Sequence, residues 1–281
     1  MKSAMTEQEQ VPLGVDASRP SLARVYDCLL GGDDNFAVDQ HVAARTLLIA
    51  PDALRQALNN RTFLWRVVHF LAAEAGIRQF LDIGPGLLSR GNVHQAARDA
   101  VPDARVVYVD YDPMVLAHGR ALLDGDPAAT IISGDVRQPE EILASPAVRR
   151  LTESGQPLAI SLFGILPHLS DEEDPAGIAA TFRGALPPGS YLAISHFHNP
   201  GSERPGDAMD IAKAEELLAE TLGTGRFRSR EEILAYFGDL DLVEPGLVPL
   251  ADWRPSERAC HYQAIGHHSF IGGVARKAAL R

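Results

Sequence analysis

Cysteine is nearly missing from this 281-residue sequence. Cys28 and Cys260 are the only two, too few for a disulfide framework, and no Cys/His group has the close spacing of a structural zinc site. Both are expected to be ordinary core or surface thiols. No apolar run approaches the roughly 18 residues that a membrane helix needs, and the opening MKSAMTEQEQ is polar where a secretory signal would be basic and then hydrophobic. A cytoplasmic protein is expected. Positive charge is scarce as well, with 26 Lys and Arg against 37 Asp and Glu, a net charge of −11. A phosphate backbone is held by clustered Lys and Arg, so neither DNA nor RNA is an expected partner. There is no internal repeat and no low-complexity block.

What is present is enough apolar side chain, 46% of residues, to bury a substantial core. Residues 1–19 carry few large apolar groups and are expected to be mobile. Residues 20–76 read as a helical cap. Leu22, Val25, Tyr26, Leu29 and Leu30 recur at helical spacing, opened by Ser18 or Ser21 and stopped by Gly31-Gly32. A second helix is expected over 36–50 and a third over 52–76.

Residues 77–281 then alternate. Strands are predicted at 79–84, 105–110, 129–133, 157–164 and 190–196, with helices near 91–101, 113–124, 139–151 and 172–186 between them. Helices at 206–222 and 229–237 follow, and a strand pair at 241–250 and 269–276 closes the pattern. The order predicts an α/β fold on a doubly wound, mostly parallel sheet. Asp112 suits a helix cap, Pro113 and Pro139 suit first-turn positions, and Ser229 with Glu232 reads as a capping box.

The segment with the most chemistry is FLDIGPGLL, Phe80 to Leu88, followed by VVYVDYDP, Val106 to Pro113. An apolar strand that breaks at Gly84-Pro85-Gly86, a helix, and a second strand ending on Asp110 are what a mononucleotide site in an α/β sheet requires. Gly84 and Gly86 lack a Cβ, so backbone can bend and approach a ligand closely, and Asp110 can accept from both ribose hydroxyls. Gly86 and Asp110 lie 24 positions apart, room for one crossover helix. Taken alone, the glycine segment also fits a plain strand-to-helix turn. A dinucleotide fingerprint wants a third glycine where Ser89 stands. S-adenosylmethionine, which has no phosphate, needs only the bend and the acid, and is the expected cofactor. Asp135 closes the third strand, where its carboxylate faces the ligand crevice and can accept from an adenine amino group. It also fits a cap for the following helix.

These motifs, with the closing strand pair, resemble the class I S-adenosylmethionine-dependent methyltransferases. More narrowly, PSLARVYDCLLGGDDNFAVD (Pro20 to Asp39), NRTFL (Asn60 to Leu64), FLDIGPGL, GNVHQ (Gly91 to Gln95), VVYVDYDP and VEPGLVP (Val243 to Pro249) are similar to an uncharacterised actinobacterial methyltransferase family. The resemblance covers nearly the whole chain after the leader. It implies a Rossmann-like class I fold: a doubly wound, mostly parallel seven-stranded sheet with an N-terminal helical cap. It also implies a cofactor shell of Asp82, Gly84, Pro85, Gly86, Asp110, Tyr111, Asp135, Val136 and Phe163. Two positions depart from the pattern. Leu88 stands at the third glycine of G-x-G-x-G, and the segment after strand four, SLFGILPHL, lacks the Asn/Asp-Pro-aromatic motif common where amino groups are methylated.

The implied reaction is in-line transfer of a methyl group to a small-molecule acceptor, under cap helices acting as a lid. A base helps when the acceptor is a hydroxyl or thiol, and histidine has a suitable pKa. His168, after strand four, and His196, at the end of strand five, are the candidates, with His198 beside them; each also fits a polar loop residue. His261, His267 and His268 fit solvated loop histidines better than metal ligands. In the cap, Gly31 to Phe36 is a turn by composition. Tyr26 and Phe36 are candidates to place ring faces on a sulfonium, and Asn35 and Arg61 to reach the cofactor carboxylate or the acceptor. A non-catalytic adenosyl-ligand sensor on the same fold, or an NAD-dependent oxidoreductase, remain alternatives.

Overall fold

A computed structural model describes residues 12–88, 91–255 and 266–279. Three helices come first, α1 (Leu22–Leu29), α2 (Ala37–Ile49) and α3 (Ala53–Ala73). The alternating part runs β1 (Gln79–Ile83), α4 (Val93–Ala100), β2 (Arg105–Asp110), α5 (Pro113–Leu122), β3 (Ala129–Ser133), α6 (Pro139–Ala144), α7 (Pro146–Thr152), β4 (Ala159–Phe163), α8 (Pro175–Ala185) and β5 (Tyr191–Phe197). Then come α9 (Pro205–Leu222), α10 (Arg230–Ala235), β6 (Asp241–Leu242), β7 (Val248–Pro249) and β8 (Phe270–Arg276).

The sheet order is β3-β2-β1-β4-β5-β8-β6, with β7 also paired to β8. The first five strands are parallel, and β8 is antiparallel to β5, β6 and β7. Eight strands thus occupy seven positions. The single strand expected over 241–250 is two fragments instead: Leu242 pairs with Ala275 and Val248 with Gly272, leaving three extra residues looped out between them.

Alternation along the central strands explains the two-sided core. Phe80, Val106, Tyr108, Tyr191 and Ala193 face one layer, where they meet Phe63, Leu64, Val67, Val68 and Leu71 of α3 and Val93, Ala96 and Val115 of α4 and α5. Leu81, Ile83, Val107, Val109, Leu192 and Ile194 face the other, with Ile142, Val148, Leu151, Ile178, Phe182 and Ile233 of α6, α7, α8 and α10. Period-two side chains on strands buried on both faces give this division. Helix α3 is therefore part of the core of the sheet.

The helix expected over 139–151 is broken. Ser145 ends α6 and caps α7, its hydroxyl accepting from Val148 N–H at 3.4 Å, and Pro146 has no N–H to continue the α6 ladder. Asp112 caps α5, accepting from Met114 N–H at 2.8 Å, and Ser229 with Glu232 forms the box that opens α10.

Buried polar groups tie α1 and α2 down. The Asp39 carboxylate accepts from the Arg24 guanidinium at 2.8 Å, from Ser21 N–H at 3.0 Å and from Phe36 N–H at 2.8 Å. Arg24 also donates to the carbonyls of Asp16 and Arg19, so the described part of the leader expected to be mobile is held in place. Asp27 accepts from Asp34 N–H and from the Asn35 amide at 3.0 and 2.9 Å. A Cβ on Gly32 would lie 2.1 Å from Asp27 Oδ1, which explains glycine in that turn.

Candidate functional site

The parallel strands end together beneath α1, α3 and the end of α9, and a cleft of about 740 Å³ opens there. Its floor is the loop after β1. Gly84, at φ 68°, turns the chain as its N–H donates to Val109 O at 2.8 Å; a Cβ there would strike the Ile165 side chain at 2.8 Å. Gly86 follows at φ 65° and donates its N–H to Asp110 Oδ2 at 3.3 Å, while Asp112 N–H donates to Asp110 Oδ1 at 3.0 Å. The loop and the acid 24 residues later are thus in direct contact.

Two buried carboxylates dominate the electrostatics. Asp82 is 3% exposed, accepts from the Ser161 hydroxyl at 2.5 Å, and burial raises its pKa to about 6 against the pull of that bond and of Arg61. Burial also raises Asp110 to about 6, opposed by its backbone donors. Asp135 lines the cleft, but its carboxylate is held by the Arg137 guanidinium at 2.5 to 2.9 Å and by Arg137 N–H at 3.0 Å, and these bonds lower its pKa. Arg137 also lies over the Tyr111 ring, 5.6 Å from its centroid. The cleft is lined by seven carboxylates and three guanidinium groups.

Of the residues expected at the site, Tyr26, Arg61, Asp82, Gly84, Pro85, Gly86, Asp110, Tyr111, Asp135, Val136, Phe163 and His168 share this one cleft. Four others, Asn35, His196, Phe36 and His198, are elsewhere. The Asn35 amide is spent on Asp27 and Gly32 O, and its Oδ1 accepts from Gln40. His196 is fully buried on the sheet face opposite α3, where strand alternation puts it with Leu192 and Ile194. Its Nδ1 meets Phe197 O at 2.7 Å and Arg228 approaches its Nε2 at 3.4 Å; burial lowers its pKa to about 3. Phe36 stacks under Arg24 at 5.0 Å. His198, outside the cleft lining, bonds to His268 O, and His267 to Asp252 at 2.8 Å. Ser89, Cys260 and His261 lie outside the described residues.

Asn60 is a cleft residue not singled out for this place from the sequence. It accepts from the Ser195 hydroxyl at 2.7 Å and donates to Tyr26 Oη at 3.3 Å, and Tyr26 donates to Ala57 O at 3.0 Å. The signal was available. Asn60 stands three and four residues before Phe63 and Leu64, on the buried stripe of α3.

The profile of the S-adenosyl methyltransferase family matches residues 8–278. The chain belongs to that family. It is 45% identical to a methyltransferase candidate from Thermobifida fusca YX, with 96% of this chain and 99% of that one covered and a TM-score of 0.89. A DUF574 family protein from Streptomyces avermitilis MA-4680 is 32% identical over 93% and 99% of the two chains, with a TM-score of 0.86. An O-methyltransferase family protein from Burkholderia thailandensis, 15% identical over 83% of this chain and 62% of that one, has a TM-score of 0.54 and shares the fold. No curated protein matches.

Proposed function

We propose that this family member binds S-adenosylmethionine in the cleft and transfers its methyl group to a small-molecule acceptor. The observation that carries the reading is the contact of Gly86 with Asp110, beside buried Asp82, at the carboxyl edge of the sheet. Ligands of open α/β sheets bind at that edge, and the glycine pair leaves room for backbone to approach one. In this reading Asp110 takes the ribose hydroxyls, the loop of Gly84, Pro85 and Gly86 supports the cofactor, and Tyr111, Asp135 and Val136 flank the adenine. Asp82, Arg61, Tyr26 and Phe163 surround its amino-acid end. The carboxylate excess favours a sulfonium cation over the phosphates of a dinucleotide or a nucleic acid. A cytoplasmic setting belongs to the same reading.

When bound, S-adenosylmethionine supplies an electrophilic methyl group. The chain contributes alignment, which can provide about 7–11 kcal/mol of the barrier, and a proton acceptor where the acceptor group needs one. His168 fits that role. It lines the cleft, and burial lowers its pKa to about 4, so its ring is neutral at physiological pH.

Calorimetry tests the cofactor assignment. S-adenosylmethionine and its demethylated product should bind at micromolar concentration and NAD should not. Asp110→Asn must place an N–H₂ where a backbone N–H now donates, and should weaken binding by tenfold or more, about 1.4 kcal/mol. Tight NAD binding, or an unchanged affinity in the variant, would refute it.

A further inference from the structure

Buried polar atoms in folded proteins are almost always hydrogen-bonded. Among the described residues, three buried side-chain atoms have no partner: His168 Nδ1, Thr224 Oγ1 and Trp253 Nε1. Trp253 lies in the core behind α3. The other two line the same cleft.

The chain builds this pair deliberately. Gly223, at φ 68°, ends α9, and Gly225, at φ 117°, bends the next residues back, so Thr224 sits at the apex of a glycine-flanked turn. Arg226 N–H then donates to Pro167 O at 2.7 Å, pinning that turn to the short helix Leu166–His168. The Arg226 guanidinium bonds to Glu215 at 2.9 Å and Asp171 at 3.2 Å, and Arg228 donates to Leu169 O at 3.2 Å and to Asp171 at 2.7 Å. Both supports of the two unpaired atoms are therefore fixed to each other.

The cleft wall beside His168 is aromatic. His168 meets the Phe197 ring edge-on at 5.4 Å, and Phe197 in turn contacts Phe270 at 5.0 Å; both phenylalanines line the cleft. Arg226, two residues after Thr224, is paired with two carboxylates, and Arg228, beside Leu169, with Asp171, so neither offers a free counter-charge to an anionic acceptor.

Resting on the methyltransferase reading above, we infer that His168, Thr224, Phe197 and Phe270 form the acceptor subsite, and that it takes an uncharged aromatic molecule bearing a hydroxyl group, methylated on oxygen. The rings cover the faces of such a molecule, and its hydroxyl completes the bonds of the two unpaired atoms. In the reaction the acceptor oxygen forms the bond to the methyl carbon. The electron pair of the broken carbon–sulfur bond stays on sulfur and cancels its charge, and the hydroxyl proton passes to His168 and on to water. Thr224 is a positioning residue.

The test is binding, read apart from turnover. Protein saturated with S-adenosylhomocysteine is titrated calorimetrically with 2-naphthol, naphthalene and 2-naphthoate. 2-Naphthol should bind about fivefold or more tightly than either control, as expected of a neutral hydrogen bond. Thr224→Val should reduce that preference, the His168 bond remaining, and Thr224→Ser should keep it in full, with S-adenosylhomocysteine affinity unchanged in both. The imidazole nitrogen resonances of His168 should shift on adding 2-naphthol and not on adding naphthalene. Equal binding of the three compounds, or a preference left undiminished by Thr224→Val, overturns the acceptor assignment alone. Failure of S-adenosylhomocysteine to bind the unaltered protein overturns the cofactor reading and this inference with it.

Discussion

Asp82→Asn should make the ligand-free protein more stable, and increasingly so as pH rises. The Asp82 carboxyl is 3% exposed, and burial raises its pKa from 3.8 to about 6. A carboxyl with a raised folded-state pKa favours the fold when protonated, and that contribution is lost as pH rises through the folded value. At about pH 8 the ionised group disfavours folding by about 3 kcal/mol, and at about pH 5 by roughly half as much. Asparagine keeps an oxygen for the Ser161 hydroxyl, the bond the structure gives this side chain, and does not titrate. Urea unfolding of both proteins should show the difference in stability widening by about 1 kcal/mol in favour of the variant between those pH values. His168, lowered to about 4, works in the opposite direction: its contribution is present above its unfolded value and lost on acidification. Being common to both proteins, it cancels in the comparison. Parallel pH curves, or a gap that narrows at high pH, would refute the assignment of Asp82 as a strained buried acid.

Two further outcomes follow from the same geometry. Arg24→Met leaves the Asp39 carboxylate, 0% exposed, with only its backbone donors, and should destabilise by about 3–5 kcal/mol in urea unfolding, with Arg24→Met/Asp39→Asn recovering part of the loss. Gly84→Ala must hold a left-handed backbone and push its Cβ against Ile165. It should lose about 1–3 kcal/mol in denaturant titration together with most of the affinity for S-adenosylmethionine.

The sheet was legible because its strands are apolar on both faces and separated by helix-period segments, and the acids at the ends of β1, β2 and β3 are visible as chain breaks. Face was harder than position. His196 is one residue from Ser195 and Phe197, yet alternation sends it to the far side of the sheet, away from the cleft. Asn35 sits in a polar turn whose own carboxylate, Asp27, satisfies it locally, and a composition of Gly, Asp and Asn carries no sign of that. The 241–250 strand failed for a related reason: Pro245 and Gly246 interrupt the ladder, and β8 accepts two short fragments instead. Thr224 has no sequence signal beyond its glycine neighbours. Its importance rests on a missing bond, which depends on how the chain folds around it and not on the local sequence.

The polar seam formed by Ser195, Asn60 and Tyr26, with Ser21 donating to Asp112 at 2.6 Å, bears on how molecules enter and leave. These bonds stitch the first and third helices to each other and to the ends of two different strands, β5 and β2, so that wall behaves as masonry. Helix α9 buries only Ile211 and Leu217 along its 18 residues and is braced by the solvent-facing Arg45–Glu220 pair. The side of the cleft that α9 supplies is held instead through surface ion pairs, Arg45–Glu220 and Arg226–Glu215, so added salt should loosen that side while leaving the seam of neutral hydrogen bonds intact.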